Sequence, residues 1–152
     1  MLTEERTRLS TSAWGALLQG HTAVVPVLDA ELVAEAGMSL RCYDVLLGLA
    51  AAPERKLRMS DLADRVVLSR TRVSRLVDEM AVAGLLVREQ NPQDGRSAYA
   101  ALTDLGLRRY RRAAPQYLAG IEEHFAQRLS DPELAALAAL LQRVLARSPA
   151  TG

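Results

Sequence analysis

The chain has little with which to build covalent or metal-based architecture. Of its 152 residues only Cys42 is a cysteine and only His21 and His124 are histidines. One cysteine excludes an internal disulfide and a zinc site made of several thiolates. Two histidines far apart in the chain, without a glycine-rich phosphate loop, leave no catalytic arrangement. Metal binding by His21, His124 and Glu122 or Glu123 has no support in the spacing. No cofactor, metal or enzymatic activity is therefore expected. Aromatic residues make up 4% of the chain, so Leu, Ala and Val must carry the packing. No run of about 18 apolar residues occurs, so no membrane span is expected. The first residues mix Glu4 and Glu5 with Arg6 and Arg8, unlike the basic and then apolar order of a secretory leader. The expected location is the cytoplasm.

What is present favours helix. Leu, Ala, Arg and Glu dominate, and the length suits one domain with a sizeable core. The net charge is +1, but it is unevenly spread. Residues 1–38 carry two arginines against five acids, whereas residues 55–99 carry nine Arg/Lys against six acids. Positive charge thus gathers in the middle of the chain, either as a solvated face or as a surface for an anionic partner.

Periodicity predicts a helix over 4–36, with Leu9, Trp14, Leu17, Leu18, His21, Val24, Val25, Leu28, Leu32 and Val33 at spacings of three, four and seven. Pro26 should bend it and Gly37 should end it. Its length of roughly 50 Å at 1.5 Å per residue exceeds a small domain's width of about 30 Å, a first sign of a second subunit. Ser39 caps a helix to about Ala51 with Tyr43, Leu46, Leu47 and Ala50 as its stripe, and 53–58 reads as a polar break. Ser60 caps a short helix over 61–66 with Leu62, Ala63 and Val66 inward. After a turn at Val67-Leu68, Ser69 caps a helix over 70–83 that Gly84 ends, with Val73, Leu76, Val77 and Met80 buried. Strands at 85–90 and 98–102 flank a polar tip, Asn91 to Ser97. Thr103 caps a helix to about Arg128, bent at Pro115. Ser130 to Glu133 forms a capping box before a last helix with Leu134, Leu137, Ala138, Leu141, Val144 and Leu145 as its apolar face. The tail from Ser148 should fray.

The stretch from Ser60 to Thr103 is the informative one. Two short capped helices joined by a tight turn form a helix-turn-helix, whose second helix can enter the major groove of DNA. That helix presents Arg70, Thr71, Arg72, Ser74 and Arg75, with no acid from Ser69 to Arg75. Such side chains suit phosphates and base edges, and the sequence leaves open which arginines read bases. In the hairpin tip, Asp94 can hold the loop while Arg96 enters a narrow minor groove; on spacing alone, an incidental turn explains that pair as well.

Asp94-Gly95-Arg96-Ser97-Ala98-Tyr99-Ala100-Ala101-Leu102-Thr103 resembles the wing signature of the MarR family of bacterial transcription regulators: Asp, one residue, Arg, five residues, then Leu-Thr. Met59-Ser60-Asp61-Leu62-Ala63 and Leu68 to Asp78 resemble that family's helix-turn-helix. The resemblance implies a mainly α (α+β) fold. A winged helix-turn-helix with a two-stranded wing (39–103) would be flanked by dimerisation helices (1–38 and 104–147), all within one domain, 1–152. It implies a homodimer on a pseudo-palindromic double-stranded DNA operator, usually repressing, and released by a small phenolic or other anionic effector or by oxidation. DNA contacts are expected from Ser60, Ser69, Arg70, Thr71, Arg72, Ser74, Arg75, Asp94 and Arg96. The alternative is a dimeric protein-interaction module of the same fold that has lost operator binding, against which these arginines argue. Trp14, His21 and Tyr43, rare types near the expected junction of dimer and DNA-binding parts, are candidate ligand contacts, with core packing as the competing reading. Cys42, beside Arg41 but without a resolving cysteine, reads as an inert thiol rather than a redox switch.

Overall fold

A computed structural model describes residues 3–66 and 70–146 of the chain. The expected turn at Val67-Leu68, the cap at Ser69, the side chain of Arg70 and the tail from Ser148 lie outside the described residues. The elements run α1 (Glu4–Ala36), α2 (Leu40–Ala51), β1 (Lys56–Arg58), α3 (Met59–Arg65), α4 (Arg70–Val82), β2 (Leu86–Asn91), β3 (Asp94–Leu102), α5 (Asp104–His124) and α6 (Asp131–Leu145). A winged helix of mainly α character is the result. The strands form one antiparallel sheet in the order β1-β3-β2. No described helix is long and apolar enough to cross a membrane.

The chain divides into two compact units. One comprises Val25–Tyr117, and the other comprises Met1–Val24 with Leu118–Gly152. The first holds a core of fully buried aliphatic side chains, including Leu32, Leu46, Leu49, Leu62, Val73, Val77 and Leu86. In the second, Ala126 is the one described hydrophobic residue that is buried; Leu134, Leu137 and Leu141 are half-buried, and Trp14, Leu18 and Val144 are exposed.

Local chemistry explains the boundaries. Gly37, at φ 67°, ends α1, where Arg109 donates from Nη2 to the Ala36 carbonyl at 3.2 Å and satisfies a helix-end acceptor. The Ser39 hydroxyl accepts from the Cys42 amide at 3.2 Å, and the Asp29 carboxylate accepts from the Leu40 amide at 2.8 Å. Two orphan donors of α2 are thus met, next to an acid at its positive end. At the end of α4, Gly84 takes φ 76°; its amide donates to Ala81 and that of Leu85 to Met80, each at 3.0 Å, a Schellman closure. Thr103 caps α5 by accepting from the Gly106 amide at 3.0 Å, and its hydroxyl donates to Gly84 at 2.6 Å. Before α6 the Glu133 carboxylate accepts from the Ser130 amide and hydroxyl at 2.8 and 3.0 Å, the reciprocal half of a capping box.

Several expectations need correction. Residues 56–58 are not part of a polar break. They pair with β3 as Lys56↔Ala101, Leu57↔Ala100 and Arg58↔Tyr99, so the two-stranded wing is anchored by a third strand at its base. Helix α3 starts at Met59 with Arg58 in the cap position, which places Ser60 inside the first turn rather than at the cap. The polar tip is shorter than the turn formers suggest. β3 already begins at Asp94, and Asn91 pairs with it across a bulge, leaving only Pro92 and Gln93 between the strands. In α2, Val45 and Leu49 are buried with Tyr43 and Leu46 while Leu47 is exposed. Helix α5 ends at His124 rather than near Arg128, with one 3₁₀ turn at Ala126–Arg128.

Candidate nucleic-acid interface

Helix α4 turns Val73, Val77 and Met80 into the core, because residues three and four apart share one face. The opposite face is left to Thr71, Arg72 and Arg75, all exposed, with Ser74 half-buried. The hydrophobic stripe thus selects which side chains reach solvent.

The two strands of the wing bring a second set to the same unit. At the tip, Asp94 Oδ1 accepts from the Arg96 amide at 3.0 Å. The acid thus shapes the turn through a backbone amide. Asn91, 8% exposed, does the same work deeper in. Its Oδ1 accepts from the Gln93 amide at 3.0 Å and its Nδ2 donates to the Ser97 hydroxyl at 3.1 Å. Both amide dipoles are therefore satisfied where water is excluded. Arg96 is exposed.

Two arginines that sequence reasoning passed over organise this surface. Arg88, on β2, donates from Nη2 to the Ser74 carbonyl at 3.1 Å and to the Ser74 hydroxyl at 2.7 Å. Its Nε lies 2.9 Å from Asp78 Oδ1. One guanidinium therefore ties the wing strand to two successive turns of α4, using the planar fork that lysine lacks. The hydroxyl of Ser74, expected as a DNA contact, is an acceptor in this clamp and keeps its own O–H. Arg58 closes β1 beside Tyr99. Its Nε donates to the Tyr99 hydroxyl at 3.3 Å, and its guanidinium carbon stands 5.9 Å from the ring centroid. The hydrogen bond to Tyr99, with smaller help from the charges of Asp61 and Asp94, raises Arg58 further above its already high ordinary pKa. Lys56 also flanks the Tyr99 ring, at 5.8 Å.

Arg58, Ser60, Ser74, Arg88, Arg96 and Ser97 meet around a cleft of about 360 Å³ between α4 and the wing. Among the described residues, no carboxylate forms an ion pair with Arg58 or Arg96. The only signal of this cleft in the sequence is the basic excess of residues 55–99; its assembly depends on strand register.

The remaining candidates sit elsewhere. Tyr43, 3% exposed, packs its ring against Tyr110 and Tyr117 at centroid distances of 5.4 and 4.6 Å. Burial pushes its phenol up to about 12. Trp14 is 60% exposed and His21 is exposed on the same helix. Cys42 is half-buried in the first turn of α2.

These features define the class: a winged helix-turn-helix protein whose second helix and wing share a cationic surface. Residues 36–97 match the family model described as the MarR family. Sco3205 of Streptomyces coelicolor, a MarR family transcriptional regulator crystallised in complex with DNA, superposes with a TM-score of 0.85 at 30% identity, over 100% of this chain and 94% of that one. AbsC, a MarR family regulator of the same organism, gives 0.81 at 29% identity over 95% of each chain. The HTH-type transcriptional regulator YkoM of Bacillus subtilis (strain 168) is 41% identical over 49 residues, and the match spans 32% of each protein. The chain belongs to the MarR family of transcriptional regulators.

Proposed function

We propose that the chain is a homodimeric, sequence-specific DNA-binding regulator that represses from a pseudo-palindromic operator and is released by a small anionic or phenolic molecule. The observation that carries the reading is the division of labour on α4 and the wing. Core-facing aliphatics fix both elements, while Thr71, Arg72, Arg75 and Arg96 are left exposed together on one unit. Helix α4 enters the major groove, where arginine can bond guanine through two atoms. Arg96 enters the adjacent minor groove, where the potential is most negative. Arg70 joins the contacts of α4 by its place in the sequence. Support comes also from the DNA complex of Sco3205, which resembles this chain over its full length. Nothing in this reading requires a cofactor or an enzymatic step.

The test is fluorescence anisotropy of purified protein on labelled duplex from the promoter beside its own gene, across a salt series. The expected result is a complex of two protomers per site that survives excess competitor DNA. Binding that any duplex competes away would refute sequence-specific regulation at that promoter. On the same assay, Trp14→Ala and His21→Ala are expected to blunt release by an effector that dissociates the wild type; full release from both variants would remove these residues from the ligand proposal.

A further inference from the structure

We infer that the cleft between α4 and the wing is the seat of one DNA backbone phosphate, and that Arg58, outside both the recognition helix and the wing tip, is its principal ligand. The inference rests on the DNA-binding reading above and deepens it. If α4 lies in a major groove and Arg96 in the neighbouring minor groove, the sugar–phosphate strand that separates the two grooves must cross the surface between those elements. That surface is this cleft, where three arginines and three serines share the wall with Met59 and Ala98, and the guanidinium groups suit an oxyanion.

The arginines are not equivalent. Arg88 is committed to Ser74 and Asp78 and forms the fixed floor. Arg96 stands at the tip of the wing. Among the described residues Arg58 makes one side-chain hydrogen bond, from Nε to Tyr99, and a guanidinium carries five N–H donors. Its terminal nitrogens therefore remain for an acceptor. The Tyr99 hydroxyl and ring hold the side chain against the sheet, which reduces the entropy lost when it binds. Position 58 is set by pairing with Tyr99 across β1 and β3, so the third strand does more than buttress the wing: it delivers a cation to the cleft. The Asp94 carboxylate, the nearest acid of the wing tip, is turned to the Arg96 amide. Among the described residues no carboxylate pairs with Arg58 or Arg96, and an anion would meet no internal competitor in an ion pair.

The experiment compares the full-length wild type, Arg58→Ala and Arg58→Lys on the operator duplex, over a salt series and over a set of duplexes each carrying one neutral methylphosphonate in place of a phosphate. Arg58→Ala is expected to weaken binding by roughly tenfold at fixed salt and to lower the salt slope by about 0.9 per protomer, the signature of one lost phosphate contact. One methylphosphonate position per half-site is expected to weaken the wild type while leaving Arg58→Ala unchanged. Arg58→Lys should recover the slope but not all of the affinity, since lysine keeps the charge without the fork. An unaltered slope in Arg58→Ala, or an equal response of wild type and variant to every methylphosphonate, overturns the assignment. Unchanged operator binding by Arg58→Ala, together with saturable binding of inorganic phosphate at Arg58 in DNA-free protein, overturns DNA as the source of the anion. Failure of the wild type to bind any duplex in a salt-dependent way would instead strike the DNA-binding reading itself. Superimposable circular dichroism and melting curves establish that the variants fold.

Discussion

At Gly106 a Cβ would lie 2.0 Å from the Leu85 carbonyl oxygen and 2.7 Å from Cδ1 of Leu102, because the first turn of α5 docks directly onto the backbone where α4 gives way to β2. The same turn is pinned by Thr103, which accepts from the Gly106 amide and donates to Gly84. Gly106→Ala must push backbone away from backbone, so it is expected to destabilise the fold by roughly 1–3 kcal/mol, read as a lower urea midpoint with an unchanged m-value. Tyr43 gives a second test. Its phenol is raised to about 12 by burial and then by the neighbouring Tyr110, whereas in the unfolded chain it ionises near 10. Between those values the unfolded state binds fewer protons than the folded one, so stability falls as pH rises through that window and is unaffected by this group below it. Melting temperatures from pH 8 to 12 should hold and then drop from about pH 10. Tyr43→Phe, which keeps the ring and removes the titration, should flatten the drop, and an identical drop in that variant would assign it elsewhere.

Among the elements, the decisive relation is the angle between α4 and the wing. Arg88 fixes it by holding both the Ser74 turn and Asp78. Because the Arg88 and Asp78 side chains are 35% and 64% exposed, their ion pair is screened by water and its loss should cost little stability, within about 1 kcal/mol. Its effect should show in DNA binding. Arg88→Ala is expected to weaken operator binding while leaving the salt slope within error, and to abolish the coupling between Arg75→Ala and Arg96→Ala in a double-mutant cycle. A slope reduced by about 0.9 would make Arg88 a phosphate contact instead. This clamp also marks the limit of what the sequence reveals. The helices were legible because their apolar residues repeat at three and four and their ends carry Ser39, Thr103, Ser130, Gly37 and Gly84. The wing residues Asp94 and Arg96 were legible through a spaced signature. Strand β1 was not, since three residues with two cations show no period, and it exists because β3 offers a free edge. Nor were Arg58 and Arg88, whose partners Tyr99 and Ser74 lie 41 and 14 residues away and are brought close only by register.

For the whole molecule, the unit of Met1–Val24 with Leu118–Gly152 poses a problem that one chain does not solve. Among its described hydrophobic residues only Ala126 is buried, whereas Trp14, Leu17, Leu18, Leu140, Val144 and Leu145 are between 42% and 71% exposed. On α1 Leu17 and Leu18 lie three and four residues from Trp14, and on α6 Val144 lies four residues from Leu140 with Leu145 beside it, so each helix exposes an apolar strip. Exposed apolar stripes of this kind suit an association surface, and the homodimer proposed above would let a second copy of the chain meet them with its own. Light scattering coupled to size exclusion should accordingly return twice the chain mass of 16.5 kDa. Leu18→Glu combined with Val144→Glu places charge on exposed positions, where a folded single chain tolerates it within about 0.5 kcal/mol, but where a dimer would have to bury it. The double variant is expected to run as one chain with its helical circular dichroism retained. Its operator affinity should fall by about 10²-fold or more, because the second half-site would no longer be held at high effective concentration, while each protomer keeps its own salt-dependent contacts. A wild type that already elutes as a single chain, or a double variant that stays dimeric with full affinity, would require the two half-sites to be joined through some other surface.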